Sequence, residues 1–343
     1  MTLQPITGSD FFGPVHWTTS DDLGKTWSEF RPVPPLGWVP RAAGGHEAVC
    51  DVTPEFHPRT GSVLALGHNV FYATDRFDPD QPSRRPVYAV WKDGAWGPRQ
   101  VLEWDDPRGS FIYSNNCGQR VMLPDGDVMM SFTFGAKGEP RRVCGVRCTF
   151  DGARLAVAAT GPALENPRGR GLLEPSLTRF AGRFFLTMRA EDDRGYVAVS
   201  DDGLHYEPKQ PWTWDDGEPL VTSTTQQHWL QHADGLFLVY VRKDASNAGV
   251  FRWRAPLWLA QVDVATLRLV RATERVVLPL VGDGVRDPAR VPLLGNFGVC
   301  AASPEESWVT DGSSCPRSGH TGELQLARVR WTRPNLPGPR DHR

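Results

Sequence analysis

The chain has 343 residues, a formal net charge of -2 and a sequence pI near 6.5, which gives it no global electrostatic footprint for nucleic acid. Its 13 Trp, 34 Gly and 30 Pro suit short strands joined by many turns better than helices, and apolar residues at helical spacing are nearly absent. No apolar run approaches the roughly 20 residues that cross a bilayer. We therefore expect neither a nucleic-acid nor a membrane partner.

The N-terminal stretch and the cysteines indicate the compartment. Met1 to Pro14 has neither the basic start nor the apolar stretch of a secretory signal. We expect a cytoplasmic protein, while a secreted chain trimmed of its signal would read the same. The six cysteines are sparse and lack CxxC spacing, which favours free thiols over a disulfide or a metal. We expect no metal and no cofactor, and the sequence leaves the oligomeric state open.

In chain order, the first element is a partial blade. Val15 to Thr19 and Trp27 to Phe30 are predicted to be two strands around a polar turn. The Pro-rich segment from Arg31 to Pro40 follows as a linker. At the other end, Glu323 to Trp331 is predicted to be a strand, and residues 334–343 are predicted to be a loose C-terminal tail.

Between these ends the sequence repeats a hairpin. Glycine turns are each followed by a strongly apolar strand, at a spacing of roughly 50 to 70 residues, which is typical of propeller blades. The four turns are Arg59-Thr60-Gly61, Pro124-Asp125-Gly126, Ala181-Gly182 and Ala233-Asp234-Gly235. A fifth, poorer copy spans Ser303 to Thr310.

The clearest repeat is the stretch from Leu172 to Tyr206. Three apolar runs separated by tight polar turns predict an antiparallel meander, with a fourth strand expected near Tyr206. The runs are Pro175 to Phe180, Arg183 to Met188 and Tyr196 to Ser200. Charged residues mark the strand ends, which indicates a scaffold that presents a polar site at one rim.

These repeats predict one all-β domain over residues 1–343. Ring closure between the two chain ends would remove exposed edges. We favour a six-bladed β-propeller with a shared last blade, and a five-bladed propeller plus an N-terminal hairpin remains the alternative.

One turn carries a family resemblance. Ser20 to Trp27 fits the Asp box S-x-D-x-G-x-x-W in full, and Ser200 to Tyr206 is a variant one residue shorter. The aspartate of such a box caps turn amides and the aromatic packs between blades, so the box is a folding device. With these turns, the sequence resembles the sialidase superfamily of β-propellers over most of the chain.

The resemblance also implies site residues. Sialidases have a Glu at the start of an inner strand and an Arg at the end of the next, and Glu174 and Arg189 match that order. An Arg-Ala pair after a later strand resembles Arg254-Ala255. The resemblance implies that Arg189 and Arg254 are two of the three arginines that bind the sugar carboxylate, and that Glu174 is the partner of the nucleophile.

The sequence also departs from the family pattern. The stretch equivalent to the Arg-Ile-Pro motif reads Asp51-Val52-Thr53-Pro54, without the first arginine of the triad. Asn296-Phe297 stands where the family has its tyrosine nucleophile. His68-Asn69 lies where the aspartate acid/base is expected.

The funnel of such a propeller is lined by strand starts and ends, and these positions are unusually polar here. The catalytic candidates are Glu174, Asp51, Glu47, His68 and Tyr113. The substrate-binding candidates are Arg189, Arg254, Arg252, His46, Asn69, Gln226, Gln227, His228 and Asn296. Each has a structural alternative: a satisfied ion pair for Glu174 and Arg189, a solvated outer face for the arginines of Phe251 to Arg254, and core packing or loop roles for the others.

The leading functional hypothesis is an exo-acting glycoside hydrolase that removes a terminal carboxylated sugar, sialic-acid-like or uronic, from a glycan. Two carboxylates flanking the scissile bond are what such hydrolysis normally requires, so Glu174 would act with Glu47, Asp51 or His68. Two alternatives stay open. A polysaccharide lyase would use His68 and Tyr113 for proton abstraction, and a catalytically silent propeller would only bind glycans.

Overall fold

The protein is all-β, with a propeller-like arrangement of sheets in which five blades are found. The computed structural model describes residues 1–8, 10–74, 76–319 and 321–336. The all-β, sialidase-like propeller predicted above is confirmed. Most of the predicted C-terminal tail lies outside the described residues. No helix in the described ranges is long and apolar enough to cross a bilayer.

The chain divides into two compact units. The first comprises Met1–Glu165 with Gly203–His205, and the second comprises Asn166–Asp202 with Tyr206–Arg343. The single domain predicted from the sequence stays a prediction, and each unit is described by itself below.

The first unit begins with a three-stranded sheet and a separate hairpin. The sheet has the order β1-β4-β5, and β2 pairs with β3. The strands are β1 (Thr2–Leu3), β2 (Ile6–Gly8), β3 (Phe11–Phe12), β4 (His16–Trp17) and β5 (Arg31–Pro32). The predicted strand from Trp27 to Phe30 is wrong, because the partner of β4 lies just after it.

Two blades complete the first unit. The first has the order β11-β10-β8-β7-β6, with β12 on β10 and β9 on β8, and the second has the order β13-β15-β16-β17, with β14 on β15. The strands are β6 (Val39–Pro40), β7 (His46–His57), β8 (Ser62–Ala73), β9 (Arg76–Phe77), β10 (Pro86–Lys92), β11 (Ala95–Trp96), β12 (Gln100–Val101), β13 (Ile112–Ser114), β14 (Val121–Met122), β15 (Val128–Gly135), β16 (Arg142–Phe150) and β17 (Leu155–Thr160).

The second unit contains three blades. Their orders are β18-β19-β20-β21, then β22-β23-β24-β25 with β26 on β24, then β27-β28-β29. The strands are β18 (Leu173–Phe180), β19 (Arg183–Arg189), β20 (Gly195–Ser200), β21 (Gln210–Pro211), β22 (His228–His232), β23 (Gly235–Tyr240), β24 (Leu257–Asp263), β25 (Arg268–Leu269), β26 (Arg275–Leu278), β27 (Gly298–Ala301), β28 (Glu306–Gly312) and β29 (Leu324–Arg330).

The last blade is formed from Gly298–Arg330 alone, and the N-terminal sheet from the first 32 residues alone. The sheets therefore match five blades with an N-terminal addition, the second of the two arrangements considered above. The fourth strand of the central meander is Gln210–Pro211, a few residues beyond the predicted position near Tyr206.

In the part of the chain that the structure describes, helical structure is limited to single 3-10 turns. They are Pro34–Leu36, Pro107–Gly109, Ala245–Asn247, Phe251–Trp253, Arg271–Thr273, Pro288–Arg290 and Pro316–Ser318. The turn at Phe251–Trp253 replaces the strand expected there, because Arg252 and Trp253 both have positive φ, 53° and 52°. Two successive left-handed residues cannot continue a strand, so Arg252 and Arg254 do not share a strand face.

Each unit has apolar cores built from the inward faces of its strands. In the first unit Tyr88, Phe132 and Phe134 are fully buried, and in the second Trp212 and Trp229 are. Burial of one Leu or Phe side chain contributes about 1.5–3 kcal/mol. These cores fix the strands whose ends carry the polar residues described next.

Two bulges deform the blades at acidic residues. The pairing of β7 with β8 shifts register between Cys50 and Thr53, and the pairing of β18 with β19 shifts between Leu173 and Ser176. Asp51 and Glu174 lie inside these shifts with φ of 55° and 44°. A left-handed residue other than glycine costs about 1–3 kcal/mol, and such strain clusters at functional sites.

Candidate functional site

The polar centre of the second unit is an ion pair between Glu174 and Arg189. The bulge at the start of β18 turns the Glu174 carboxylate toward the end of β19, where Arg189 Nη1 donates to Glu174 Oε2 at 2.7 Å. The side chains are 16% and 6% exposed. The buried Nε of Arg189 has no hydrogen-bond partner among the described residues, so this guanidinium keeps donor capacity beyond the ion pair.

Arg254 is the second guanidinium of this centre. It follows the 3-10 turn Phe251–Trp253, and its main-chain oxygen accepts from Leu294 N at 2.7 Å. Its Nη1 donates to Asn296 Oδ1 at a long 3.4 Å. The half-buried side chain also has a buried Nε without a partner in the described ranges.

The charges of Arg189 and Glu174 affect the pKa of Arg254. Burial lowers the pKa of Arg254, and the like charges of Arg252 and Arg189 lower it further. Glu174 and Asp311 act in the opposite direction. The charges of Glu174 and Arg189 thus act on Arg254, and Glu174 forms its ion pair with Arg189. Such an arrangement favours an anionic ligand.

Asp311 also acts on Arg254, and sequence reasoning missed it. It lies near the end of β28 and is 3% exposed. Burial raises its pKa to about 7, although backbone N–H groups and Arg254 favour the charged form. The available signal was an aspartate followed by glycine at a strand end in the last blade, but the poor match of that repeat hid it.

The three residues Gln226, Gln227 and His228 are buried and hydrogen-bonded inside the unit. The two ring nitrogens of His228 contact Ser176 Oγ at 2.9 Å and Gln226 Oε1 at 3.1 Å, and burial lowers the His228 pKa to about 3. Gln227 Oε1 accepts from Thr187 Oγ1 at 2.6 Å. This is a correction to the predicted sugar-binding role, since these side chains tie β22 to its neighbours.

Arg252 and Asn296 flank Arg254 differently. The Arg252 guanidinium lies over the Phe251 ring, 5.4 Å from its centroid, and its field reaches Arg254. Asn296 is exposed and contacts Arg254 directly. Both remain at the candidate site, Arg252 as a neighbouring charge and Asn296 as a contact.

In the first unit, Glu47 and Asn69 form a satisfied network. Arg99 forms an ion pair with Glu47, whose Oε1 also accepts from Asn69 Nδ2 at 3.4 Å. Asn69 Oδ1 accepts from Arg85 N at 2.7 Å. His46 lies next to them on β7 and packs against Trp38, with 5.3 Å between ring centroids. These contacts match the structural alternatives for Glu47, Asn69 and His46.

Asp51 and His68 meet at the bulge of β7, together with Cys50. His68 Nδ1 lies 3.7 Å from Asp51 Oδ2, and Nε2 lies 3.4 Å from Cys50 Sγ. Arg84 contacts the same Nε2. Burial, with Arg84 and Arg141, holds the pKa of His68 well below its ordinary value, and burial raises that of the Cys50 thiol.

The same three side chains have ligand atoms within 4.8 Å of one another, which could hold a metal ion. The contact with Arg84 opposes this. Arginine has no acceptor, so Nε2 of His68 must accept the hydrogen bond and the ring proton must lie on Nδ1. Neither ring nitrogen then offers a free lone pair, and we assign no metal to this cluster.

Tyr113 is a core residue, which corrects its prediction as a catalytic group. It is 4% exposed and packs against Trp104 and Phe132, at 5.5 and 5.6 Å between ring centroids. Its hydroxyl accepts from Trp104 N at 3.2 Å. The ring anchors β13 to the blade core and its oxygen is already occupied.

No family model matches the chain, and no curated protein matches it in sequence. Solved structures do match it. A protein of unknown function from Dyadobacter fermentans has a TM-score of 0.62 at 14% identity, over 92% of this chain and 84% of that one. The Trypanosoma rangeli sialidase in complex with the inhibitor DANA has a TM-score of 0.63 at 14% identity, over 96% and 52%. The Hadza microbial sialidase Hz136 has 0.62 at 12% identity, over 92% and 59%.

The chain has the sialidase propeller fold. It spans 52–59% of the length of the two sialidase chains, and at 12–14% identity the likeness is one of fold. The residues that match the family order, Glu174, Arg189 and Arg254, all lie in the second unit, where the charges of the first two act on the third.

Proposed function

We propose that this sialidase-like propeller is an exo-acting glycoside hydrolase that removes a terminal carboxylated sugar from a glycan. The observation that carries the proposal is the pair of neighbouring guanidinium groups, Arg189 and Arg254, each with a buried Nε–H donor that no described residue accepts. A carboxylate is planar and accepts two parallel hydrogen bonds from a guanidinium. A carboxylated sugar would both satisfy these donors and reduce the repulsion between the two cations.

Glu174 has the properties of a catalytic carboxylate. Its ion pair with Arg189 at 2.7 Å fixes the orientation of the carboxylate, as a nucleophile or a general base requires. The bulge and its positive φ hold the carboxylate at the strand end, and the side chain is still 16% exposed. In hydrolysis, Glu174 would act at the anomeric carbon, directly or by activating water, while the glycosidic oxygen leaves with a proton from a second group.

The second group stays a prediction. Glu47, Asp51 and His68 are the candidates from the sequence, and all three lie in the first unit. Glu47 is engaged by Arg99, and burial keeps His68 in its neutral form. Asp51 sits in a strained bulge like Glu174.

We also count the turn Ser20–Trp27 as an Asp box. Asp22 accepts from the backbone N–H groups of Lys25 and Thr26 at 3.0 and 2.9 Å, and these bonds lower its pKa to about 2. Ser20 Oγ accepts from Gly24 N at 2.7 Å. This capping is what the box motif requires of its aspartate.

The test uses Glu174→Gln with a matched control. Purified protein is incubated with aryl glycosides of sialic acid and of uronic acids, and released sugar is measured. Turnover in Glu174→Gln is expected to fall by about 10²–10⁴-fold. The control is Glu306→Gln, because Glu306 is also a buried glutamate paired with an arginine, Arg328 at 2.6 Å, in the same unit. It should retain turnover.

Two outcomes would contradict the proposal. Equal rates in Glu174→Gln and the wild type would remove Glu174 from the mechanism. Saturable binding of the sugars without turnover under any condition would indicate a propeller that only binds glycans.

Arg254→Lys, which keeps the charge but loses the planar fork, should raise KM for carboxylated substrates, and an unchanged KM would argue against carboxylate recognition.

A further inference from the structure

Asp311 is a buried acid that the proposed hydrolysis does not use. Its Oδ2 accepts from Gly295 N at 2.6 Å. Its Oδ1 is buried without a well-aligned partner among the described residues, and the backbone N–H groups of Asn296 and Gly312 lie near enough to the carboxylate to favour its charged form. A buried carboxylate with one oxygen unsatisfied is costly in the ionised form, so this position calls for a functional explanation.

The segment Leu294–Asn296 connects Asp311 to Arg254 through three successive residues. Leu294 N donates to the main-chain oxygen of Arg254, Gly295 N donates to Asp311, and Asn296 Oδ1 accepts from the Arg254 guanidinium. Gly295 has a φ of +105°, a conformation that side chains rarely adopt. The same short loop therefore donates a hydrogen bond to the carboxylate of Asp311 and forms hydrogen bonds with both the main chain and the side chain of Arg254.

Few other charges reach Asp311. Across the sheet, Gln325 on β29 is its register partner, and β27 carries no charged side chain. Glu306 and Arg328 in the same blade are paired with each other. Cys300 on β27 is an exposed thiol. Arg254 is the charged group that acts most on Asp311.

We propose that Asp311 is a positioning residue that makes carboxylate binding at Arg254 depend on a proton. The inference rests on the proposed function, since it concerns the same site. When Asp311 is ionised, its charge and a ligand carboxylate compete for Arg254 and repel each other. When Asp311 is protonated, Arg254 is left to the ligand. Burial raises the pKa of Asp311 to about 7, which places the change near neutral pH.

Calorimetric titration of the wild-type protein with N-acetylneuraminic acid and with glucuronic acid tests this, because both carboxylates stay ionised between about pH 5.5 and 8.5. Affinity should weaken about tenfold for each unit of pH above about 7. Runs in two buffers of different ionisation enthalpy should show uptake of about one proton on binding at the alkaline end.

Asp311→Asn, which keeps an acceptor for Gly295 N, should bind with the low-pH affinity of the wild type at every pH and take up no proton. Glu306→Gln, the same neutralisation on the same strand, should keep the wild-type pH profile. A pH-independent wild-type affinity overturns this inference alone. Absence of binding for both sugars at every pH overturns the proposed function and this inference with it. If Asp311→Asn does not fold, the proton uptake measured for the wild type tests the inference by itself.

Discussion

Asp51 in the first unit and Glu174 in the second occupy the same kind of backbone position but meet different partners. Each lies in a bulge, Asp51 midway along β7 and Glu174 near the start of β18, with φ of 55° and 44°. Glu174 is bound by the guanidinium of Arg189 at 2.7 Å. Asp51 instead lies 3.7 Å from a ring nitrogen of His68, whose other nitrogen contacts Arg84.

The difference shows that a bulge sets the direction of an acidic side chain. The residues on the neighbouring strand then determine which partners its carboxylate meets. In the first unit a buried neutral histidine separates the arginine from the acid, and both ring nitrogens have partners. In the second unit the arginine contacts the acid directly, and buried polar atoms of Arg189, Arg254 and Asp311 have no partner among the described residues. Buried polar atoms without a hydrogen-bond partner in the described ranges also occur in the first unit, at His46 and Arg120 for example, so it is their concentration on charged groups that act on one another that favours a ligand site.

The largest predicted effect that sharpens this comparison is a change with pH in the free energy of unfolding, caused by Asp311 in the second unit. The pKa of Asp311 rises from its ordinary 3.8 to about 7 in the folded state, so folding favours its protonated form. That stabilisation is fully present below about pH 4 and is lost as pH rises through about 7. The free energy of unfolding of the wild type, relative to Asp311→Asn, should fall by up to about 4 kcal/mol over this range.

Urea unfolding of both proteins at intervals from about pH 4 to 8 measures this difference. Other groups titrate in both proteins and cancel in the comparison. A constant difference across the range would show that Asp311 titrates in the folded protein as it does in the unfolded chain.

The second prediction compares the two arginines. Arg189→Met leaves the carboxylate of Glu174 without its ion-pair partner, and the loss of one partner from a buried pair costs about 3 kcal/mol. Arg84→Met removes donors to a neutral ring and to the main-chain oxygen of Asn69, so about 1 kcal/mol is expected. Denaturant unfolding should rank the variants in that order, and Arg328→Met, which breaks the matched pair with Glu306, should resemble Arg189→Met.

An equal decrease in the free energy of unfolding for Arg189→Met and Arg84→Met would contradict the comparison. It would mean that Asp51 depends on Arg84 as much as Glu174 depends on Arg189, in spite of the intervening ring.

Local patterns predicted most of the scaffold. Alternating apolar runs and glycine turns located β18, β19 and β20 to within a few residues, because strand period and turn chemistry are local properties. The alternation of aromatic and charged residues in Phe251-Arg252-Trp253-Arg254 led to a wrong strand prediction, because the same residues fit both a strand and the observed 3-10 turn. The difference between them is the positive φ of Arg252 and Trp253, which the sequence alone does not show.

The candidate site was predictable only in part. Glu174, Arg189 and Arg254 were predicted because their order matches a family pattern, and their role in a site stays a prediction. Tyr113 was misassigned because a tyrosine at a strand start reads the same whether it faces a funnel or a core. Asp311 was missed although an aspartate followed by glycine at a strand end was a local signal, because its burial and the loop that also contacts Arg254 are not visible in a single sequence.

The smallest predicted effect tests the first unit, through the proton of His68. Because the guanidinium of Arg84 can only donate, neutral His68 must carry its proton on Nδ1, toward Asp51. Nitrogen-detected NMR of the wild type should therefore show the Nδ1–H tautomer at neutral pH. In Arg84→Met the pKa of His68 should rise because a nearby positive charge is lost, and it should stay below the ordinary 6.5 because burial, the largest cause, remains. A proton on Nε2 in the wild type would instead free Nδ1 as an acceptor, require a different Arg84 contact, and restore the metal-binding reading of Cys50, Asp51 and His68.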